Sequence, residues 1–220
     1  GGSFMKKYVI ISGGMIQDAF AGELIRDGAF DVILAADSGM EFLKREQLIP
    51  DIIIGDFDSV KPETLAYFKK IPSITWRTLN PVKDDTDTEF AIRYAIGDGA
   101  SSITLLGATG TRLDHVLGNI SILGIGEDAG VPIELLDANN RITMHKKSFS
   151  IAKEKQFGRY VSLLPYGGEV SGLTLTGMKY PLSDAVLGLY NSLGISNEIT
   201  GDTAYITFDH GTIIAVESID

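Results

Sequence analysis

The first part of the chain alternates short, apolar, β-branched runs with stretches that carry the apolar spacing of amphipathic helices. This alternation extends from Lys6 to about Leu136. Successive apolar runs are separated by about 15 to 25 residues, which suits parallel strands joined by helices. The pattern therefore predicts a doubly wound, mostly parallel α/β sheet. The predicted strands are Tyr8 to Ser12, Val32 to Ala36, Ile52 to Ile54, Ile74 to Leu79, Ile103 to Leu106 and Ile133 to Leu136.

The pattern changes after Asn139 and Asn140. From Ser148 onward, short β-type runs alternate with turn sequences that are rich in Gly, Pro and Asp, which is typical of antiparallel strands. We therefore predict an α/β plus all-β protein, with an α/β domain over 5–140 and a smaller antiparallel β-sandwich or barrel over 141–220. Residues 1–4, before Met5, are interpreted as an expression-tag remnant. The predicted strands here are Tyr160 to Leu164, Gly172 to Leu175, Tyr205 to Phe208 and Thr212 to Val216.

Composition restricts the classes of partner. The 220 residues carry a formal net charge of −10 and no Lys/Arg cluster, which argues against a nucleic-acid or anionic-membrane surface. A polyphosphate ligand would need a divalent cation that bridges carboxylates to phosphate oxygens. Cysteine is absent, which excludes disulfides, thiolate metal sites and cysteine nucleophiles and agrees with a cytoplasmic location.

Two aspartates follow the apolar run Ile52 to Ile54, in the sequence Gly55-Asp56-Phe57-Asp58-Ser59. Residues two apart in an extended chain project to the same side. We therefore expect the carboxylates of Asp56 and Asp58 to face one point at the strand end, where they would suit Mg²⁺. The alternative is an ordinary turn, because Asp, Gly and Ser are all turn formers.

Three other strand ends carry glycine or polar residues. Ligands of doubly wound sheets bind beyond the carboxyl ends of the strands, and glycine lets the backbone approach an anionic ligand. Any one such loop has an alternative explanation in turn formation and helix capping, so the coincidence of several loops at one sheet edge is the signal. The three segments are Ser12-Gly13-Gly14, Asp37-Ser38-Gly39 and Gly107-Ala108-Thr109-Gly110.

A cluster of acids, Lys83-Asp84-Asp85-Thr86-Asp87, precedes a predicted helix. Thr86 or Asp85 is expected to cap that helix. Capping needs only one or two of these acids. If Asp84 or Asp87 also faced the strand-end aspartates, each close pair would cost about 4 kcal/mol at an effective dielectric constant near 20. A bound cation would remove this repulsion.

The glycine-rich loop after the fifth predicted strand continues into a helix as Thr111-Arg112-Leu113-Asp114-His115. It matches neither the Walker A motif nor Gly-x-Gly-x-x-Gly. Arg112 could bind polyphosphate oxygens, and Asp114 could orient it or contact a cationic substrate. The alternative is a surface Arg–Asp pair that contributes little. His115 is a candidate base, although a helical histidine more often packs or forms a hydrogen bond.

Taken together and in this order, these motifs and Gly194-Ile195-Ser196-Asn197-Glu198 resemble the thiamine pyrophosphokinases. The resemblance covers nearly the whole chain from Met5. It implies an α/β nucleotide-binding catalytic domain and a β-rich thiamine-binding domain. The implied enzyme, an ATP-dependent diphosphotransferase, moves diphosphate from ATP to the hydroxyethyl group of thiamine and gives thiamine diphosphate and AMP. The resemblance also implies a homodimer whose active site lies between the α/β domain of one chain and the β domain of the other.

The same resemblance assigns site residues. Asp56, Asp58 and Asp87 would hold Mg²⁺, with Asp84 close by, and Arg112 would complete the catalytic set. The implied ATP-binding residues are Gly13, Gly14, Asp37, Ser38, Gly39, Lys83, Gly107, Thr109, Gly110 and Arg112. The implied thiamine-binding residues are Asp58, Asp114, Ser196 and Asn197.

One position departs from the family pattern. Animal members have a tryptophan where this chain has Ile199, so stacking on thiamine would fall to Tyr180 or Tyr190 or be replaced by aliphatic contact. A related hydroxyethyl heterocycle is therefore an alternative substrate. Two other classes stay open on the same motifs: a Mg²⁺-dependent nucleotide phosphohydrolase, and a non-catalytic sensor of nucleotide or thiamine.

Overall fold

The structure, a computed structural model, describes residues 5–79 and 85–220. The chain divides into two compact units, Gly1–Ala138 and Asn139–Asp220. The sequence pattern had placed the division after residue 140. None of the helices in the described residues is long and apolar enough to cross a membrane.

The first unit contains a parallel sheet whose central strands are completely buried. Within the described residues its strand order is β4-β3-β2-β1-β5-β6. The side chains of Val9, Ile10 and Ile11 have no exposed surface, as expected of strands covered on both faces. The six predicted strands are confirmed. Their bounds are β1 Lys7–Ile11, β2 Val32–Ala36, β3 Ile52–Gly55, β4 Thr75–Thr78, β5 Ser102–Leu106 and β6 Ile133–Leu136.

The strand order reverses at β1. The chain passes from β1 outward through β2, β3 and β4, and then returns to place β5 on the other side of β1. In a doubly wound sheet this reversal separates the loops that follow the two neighbouring strands and leaves a crevice between them. The fold therefore directs the ligand site to the loops after β1 and β5.

The strands of this unit are connected by helices. Their bounds are α1 Asp18–Asp27, α2 Gly39–Arg45, α3 Pro62–Lys69, α4 Asp87–Gly97, α5 Leu113–Ser121 and α6 Leu123–Ala129. Thr86 is the N-cap of α4, since its side chain accepts a hydrogen bond from the backbone N–H of Glu89 at 3.2 Å. The prediction of a cap at Thr86 or Asp85 is thus confirmed for Thr86. This cap fixes Asp87 as the first residue of the helix.

The second unit is antiparallel throughout its described pairs. Strands β7, β13 and β9 pair in that order, and β11, β10, β12 and β8 form a four-stranded sheet. Residues from both sets share one buried apolar cluster, which confirms the α/β plus β architecture. The bounds are β7 Asn140–His145, β8 Phe149–Ala152, β9 Tyr160–Pro165, β10 Val170–Thr176, β11 Leu182–Leu187, β12 Thr203–Thr207 and β13 Ile213–Ser218, with a 3₁₀ turn at Lys153–Lys155.

Strands β7, β8 and β11 were not among the predicted strands. In β7 only Ile142 and Met144 are buried, and the other residues of the strand are polar. In β11 the pairing with β10 shifts register, and Asp184 has a φ of 45°. Short strands with polar alternation or an irregular backbone give only a weak apolar pattern.

Candidate active site

A cavity of about 940 Å³ lies in the first unit, among the loops that follow the strands at its switch point. The loops after β1 and β5 contribute residues 12–15 and 107–112 to its lining. Asp37, Ser38 and Ser59 line it from the loops after β2 and β3. The beginning of α4 and one side of α5 complete the lining. The strand ends singled out in the sequence therefore do meet at one place.

Close approach of the β1 and β5 loops requires glycine at two of the predicted positions. Gly14 N donates to Gly107 O at 2.7 Å, and Met15 N donates to Thr109 O at 3.0 Å. A Cβ atom on Gly14 would lie 2.4 Å from Gly107 O, and one on Gly107 would lie 2.2 Å from Ser12 O. Gly107 also has a φ of 67°, which side chains disfavour. Glycine at these two positions therefore allows the two loops to pack closely and form one wall of the cavity.

Gly39 has a different role. It is the first residue of α2, it is buried, and it is not among the residues that line the cavity. A Cβ atom at this position would lie 2.0 Å from the backbone oxygen of Ile11. Gly39 therefore allows α2 to pack against β1, which explains it without a ligand.

Three half-buried carboxylates converge beside the cavity: those of Asp37, Asp56 and Asp87. One oxygen of each lies within 4.8 Å of one oxygen of the other two. Burial, the charge of Asp37, a hydrogen bond with Asp37 and the charge of Asp56 together raise the pKa of Asp87 to about 6, and burial contributes most. Oxygen ligands of this kind fit a hard divalent cation such as Mg²⁺, which would relieve the repulsion among the three.

Asp37 is held in this group by the neighbouring β3 loop. Its Oδ1 accepts a hydrogen bond from Phe57 N at 3.2 Å, and its Oδ2 accepts one from Ser59 Oγ at 2.9 Å. A Cβ atom on Gly55 would lie 3.1 Å from Asp37 Oδ1. The resemblance had placed Asp37 among the nucleotide-binding residues. The signal that could have placed it with the acids is its position at the end of β2, directly beside β3.

The expected geometry of Asp56 and Asp58 is wrong. The segment is not extended, because Phe57 has a φ of 68°. Asp58 N donates to Asp56 Oδ1 at 3.1 Å, which is a turn stabilised by the aspartate side chain. Asp58 is exposed and lies outside the group of three acids, where Asp37 takes its place. The turn interpretation of this segment therefore describes its backbone, although Asp56 still faces the other acids.

Arg112 and Asp114 form an exposed ion pair at the cavity, just where α5 begins. Arg112 Nε donates to Asp114 Oδ1 at 3.2 Å, and Nη2 donates to Oδ2 at 2.7 Å. The hydrogen bond from Arg112, and then that from His115 N, hold the pKa of Asp114 below its usual value. His115 also lines the cavity and is exposed. In this state the guanidinium fork is occupied by Asp114, so an anionic ligand would compete with that carboxylate.

Sequence reasoning missed two polar contacts that shape the cavity. Asn119 Nδ2 donates to the backbone oxygen of Ala108 at 2.9 Å, which ties α5 to the β5 loop. The hydroxyls of Ser12 and Thr88 are 2.8 Å apart and tie the end of β1 to α4. The helical spacing of His115, Asn119 and Ile122 was a signal that one side of α5 faces the site. The predicted site residues Lys83 and Asp84 lie outside the described residues.

Ser196 and Asn197 lie in the second unit, and Asn197 is only 4% exposed. Its Oδ1 accepts hydrogen bonds from Tyr180 N at 3.0 Å and Glu198 N at 2.9 Å, and its Nδ2 donates to Tyr180 O at 2.9 Å. Ser196 has a φ of 58°, and its N–H donates to Ser162 Oγ at 3.0 Å. The side chain of Asn197 therefore fastens one loop to another.

The residues considered for stacking on thiamine differ in exposure. Ile199 is buried in the core of the second unit, so its side chain presents little surface to a ligand. Tyr180 is 56% exposed and Tyr190 is 99% exposed. Both rings are therefore accessible for stacking.

Comparison with known proteins gives concordant matches along the chain. The family model described as thiamin pyrophosphokinase, catalytic domain, matches residues 28–135, and the model for the vitamin B1 binding domain matches residues 147–213. The thiamine pyrophosphokinase of Bacillus subtilis (strain 168) is 33% identical over 188 residues, which cover 85% of this chain and 87% of the relative.

Solved structures agree with these matches. The crystal structure of the Bacillus subtilis thiamine pyrophosphokinase has a TM-score of 0.87 at 32% identity and covers 98% of this chain and 100% of that one. That of the thiamin pyrophosphokinase from Geobacillus thermodenitrificans has a TM-score of 0.83 at 31% identity, with 97% and 98% covered. The yeast thiamin pyrophosphokinase, with a TM-score of 0.80 at 16% identity over 99% of this chain and 88% of that one, supports the fold alone.

Proposed function

This chain belongs to the thiamin pyrophosphokinase family, and from that premise we propose that it transfers an intact diphosphate from ATP to the hydroxyethyl group of thiamine. The products are thiamine diphosphate and AMP. The observation that carries the proposal is the convergence of three carboxylates beside a glycine-lined cavity at the switch point of the sheet. This arrangement suits a metal-bound polyphosphate.

We propose that Asp37, Asp56 and Asp87 hold Mg²⁺. The first two come from neighbouring strand ends and the third from the first turn of α4. Asp58 stays a ligand on the family pattern, and it would have to reach the ion from the exposed side of its turn. When bound, Mg²⁺ would supply positive charge against the triphosphate and the departing AMP.

The cavity wall would position the nucleotide. The loops after β1 and β5 bring Gly13, Thr109 and Gly110 to its lining, where backbone groups can approach phosphate oxygens closely. Arg112 would leave its exposed pair with Asp114 and present its planar fork to the phosphates. Asp114 would then be free to contact the cationic thiamine, so one exchange of partners would serve both substrates.

In the reaction the hydroxyl oxygen of thiamine attacks the β-phosphorus. A new oxygen–phosphorus bond forms, the bond from the β-phosphorus to the bridging oxygen of AMP breaks, and the hydroxyl proton passes to solvent. The protein residues act mainly by holding the two reactants in line, because phosphoryl transfer is catalysed largely by positioning and electrostatic stabilisation.

We propose that Ser196 and the ring of Tyr180 or Tyr190 contact thiamine. Asn197 would act on this side through the loop that it fastens, since its side chain is already engaged with Tyr180 and Glu198. As in the family, the active protein would be a homodimer with each site completed by the second copy. We also propose a cytoplasmic location, with which the cysteine-free composition agrees.

The test is a chromatographic assay of protein incubated with ATP, Mg²⁺ and thiamine, in which AMP and thiamine diphosphate are followed together. We expect equal amounts of both products from the wild type and none from Asp56→Asn. The control is Asp27→Asn, which neutralises an exposed acid at the end of α1 and should leave the rate unchanged. Release of phosphate without thiamine diphosphate would favour the phosphohydrolase, and nucleotide binding without turnover would favour the sensor.

A further inference from the structure

Phe57 has a backbone conformation that its side chain disfavours. It lies between Asp56 and Asp58, and its φ of 68° is in the left-handed region. A bulky residue is an outlier there. Such a conformation persists only where the surrounding contacts hold it. The contacts of Phe57 therefore decide whether the turn that carries Asp56 keeps its shape.

The ring of Phe57 packs against Trp76. The two ring centroids are 5.4 Å apart and the planes are inclined at 78°, an edge-to-face contact. Trp76 is itself fixed from two directions. Its backbone lies in β4, in register with Ile53 of β3, and Lys69 Nζ from α3 lies 3.7 Å from the centroid of its ring. Trp76 thus offers Phe57 a support that is anchored by both a strand and a helix.

The backbone of Phe57 sets the position of two of the three converging acids. Asp56 directly precedes it in the chain, and Phe57 N donates to Asp37 Oδ1 at 3.2 Å. A change in the backbone at Phe57 would move the first carboxylate and remove one of the hydrogen bonds that hold the second. The third acid, Asp87, is held separately by the capped start of α4.

We infer that Trp76 is a positioning residue for the divalent-cation site. Its contact with Phe57 holds the left-handed turn that brings Asp56 and Asp37 to Asp87. The inference rests on the proposed function in one respect, that these three acids bind the cation. It assigns a role to a residue on β4 that none of the sequence motifs includes.

The experiment measures Mn²⁺ binding to the full chain without nucleotide, from the electron paramagnetic resonance signal of the free ion. Trp76→Leu removes the edge-to-face contact with Phe57, and this variant should bind Mn²⁺ roughly two- to tenfold more weakly than the wild type. Trp76→Phe keeps an aromatic ring and should bind nearly as the wild type does. Ile74→Ala removes a buried side chain just before the same strand and should leave Mn²⁺ affinity unchanged.

A double-mutant cycle tests whether Trp76 acts through Phe57. In the Phe57→Leu background, Trp76→Leu should weaken Mn²⁺ binding no further. Additive losses, an unchanged affinity in Trp76→Leu, or an equal loss in Ile74→Ala would each overturn the inference and leave the metal site intact. If the wild type binds no Mn²⁺, or if Asp56→Asn binds it equally well, the proposed metal site is wrong and the inference falls with it.

Discussion

Replacing Asp87 with Asn should stabilise the metal-free protein while it abolishes catalysis. One oxygen of Asp87 lies within 4.8 Å of oxygens of Asp37 and Asp56. At that distance and an effective dielectric constant near 20, a pair of unit charges repels by about 3.5 kcal/mol. Asn has nearly the same shape as Asp, carries no charge, and can still donate a hydrogen bond to Asp37. The variant therefore removes repulsion and keeps the packing.

The pKa of Asp87 gives a second measure, which combines the cost of burying its charge with this repulsion. A rise from 3.8 to about 6 corresponds to about 3 kcal/mol at 1.36 kcal/mol per pKa unit. Because Asp87 is partly exposed, solvent screening reduces this, and we expect a gain of about 1–2 kcal/mol in the variant. The folded pKa lies above the unfolded one, so the wild type loses stability as pH rises from about 4 through 6. The gain should be complete near pH 7.5 and absent below pH 4.

The assay is urea unfolding in EDTA at pH 7.5 and pH 3.5, with fluorescence of the single tryptophan, Trp76, as the probe of the first unit. Asp27→Asn is the matched control, because it makes the same change in net charge away from the acids. Addition of Mg²⁺ should stabilise the wild type and not Asp87→Asn. Turnover in the variant should fall by at least about 100-fold. A variant that at pH 7.5 in EDTA is no more stable than Asp27→Asn would refute the repulsion argument.

Three further predictions concern stability. Asn197→Ala should lower the free energy of unfolding by about 2–4 kcal/mol in urea titrations, because Tyr180 and Glu198 backbone groups lose their partner; a loss below 1 kcal/mol would contradict this role. Burial lowers the pKa of His145 to about 4, so the folded protein binds a proton at this histidine less readily than the unfolded chain does. Between pH 7.5 and pH 4.5 the wild type should therefore lose about 2.5 kcal/mol of stability relative to His145→Gln. Parallel pH profiles of the two proteins would contradict the burial argument. Gly118→Ala should stabilise the protein by up to about 1 kcal/mol and so raise the melting temperature, since a Cβ atom on this glycine of α5 meets nothing within 4 Å. A lower melting temperature would show that the space around Gly118 cannot hold a methyl group.

The sequence by itself determined the features whose causes are local. The β-branched runs identified all six strands of the first unit, because a strand buried on both faces must be continuously apolar. The cap at Thr86 was predictable because capping depends on a side chain and an N–H only three residues away. The glycines at 14 and 107 indicated a close approach of the backbone to another group. The sequence suggested that this group is a ligand, whereas in the structure it is the backbone of the neighbouring loop.

Only the tertiary structure decided which acids meet and which polar residues are buried. Asp37 and Asp56 are neighbours because β2 and β3 pair, and Asp58, which follows the left-handed backbone at Phe57, lies outside the group of three acids. That backbone depends on Trp76 and Asp37, which are 19 and 20 positions away in the numbering of the chain. The family resemblance assigned Asn197 to thiamine, whereas in the structure its side chain is bonded to the backbone of Tyr180, 17 residues earlier. Spacing along a chain determines periodicity and caps, whereas the direction of a side chain at a turn depends on partners that only folding brings near.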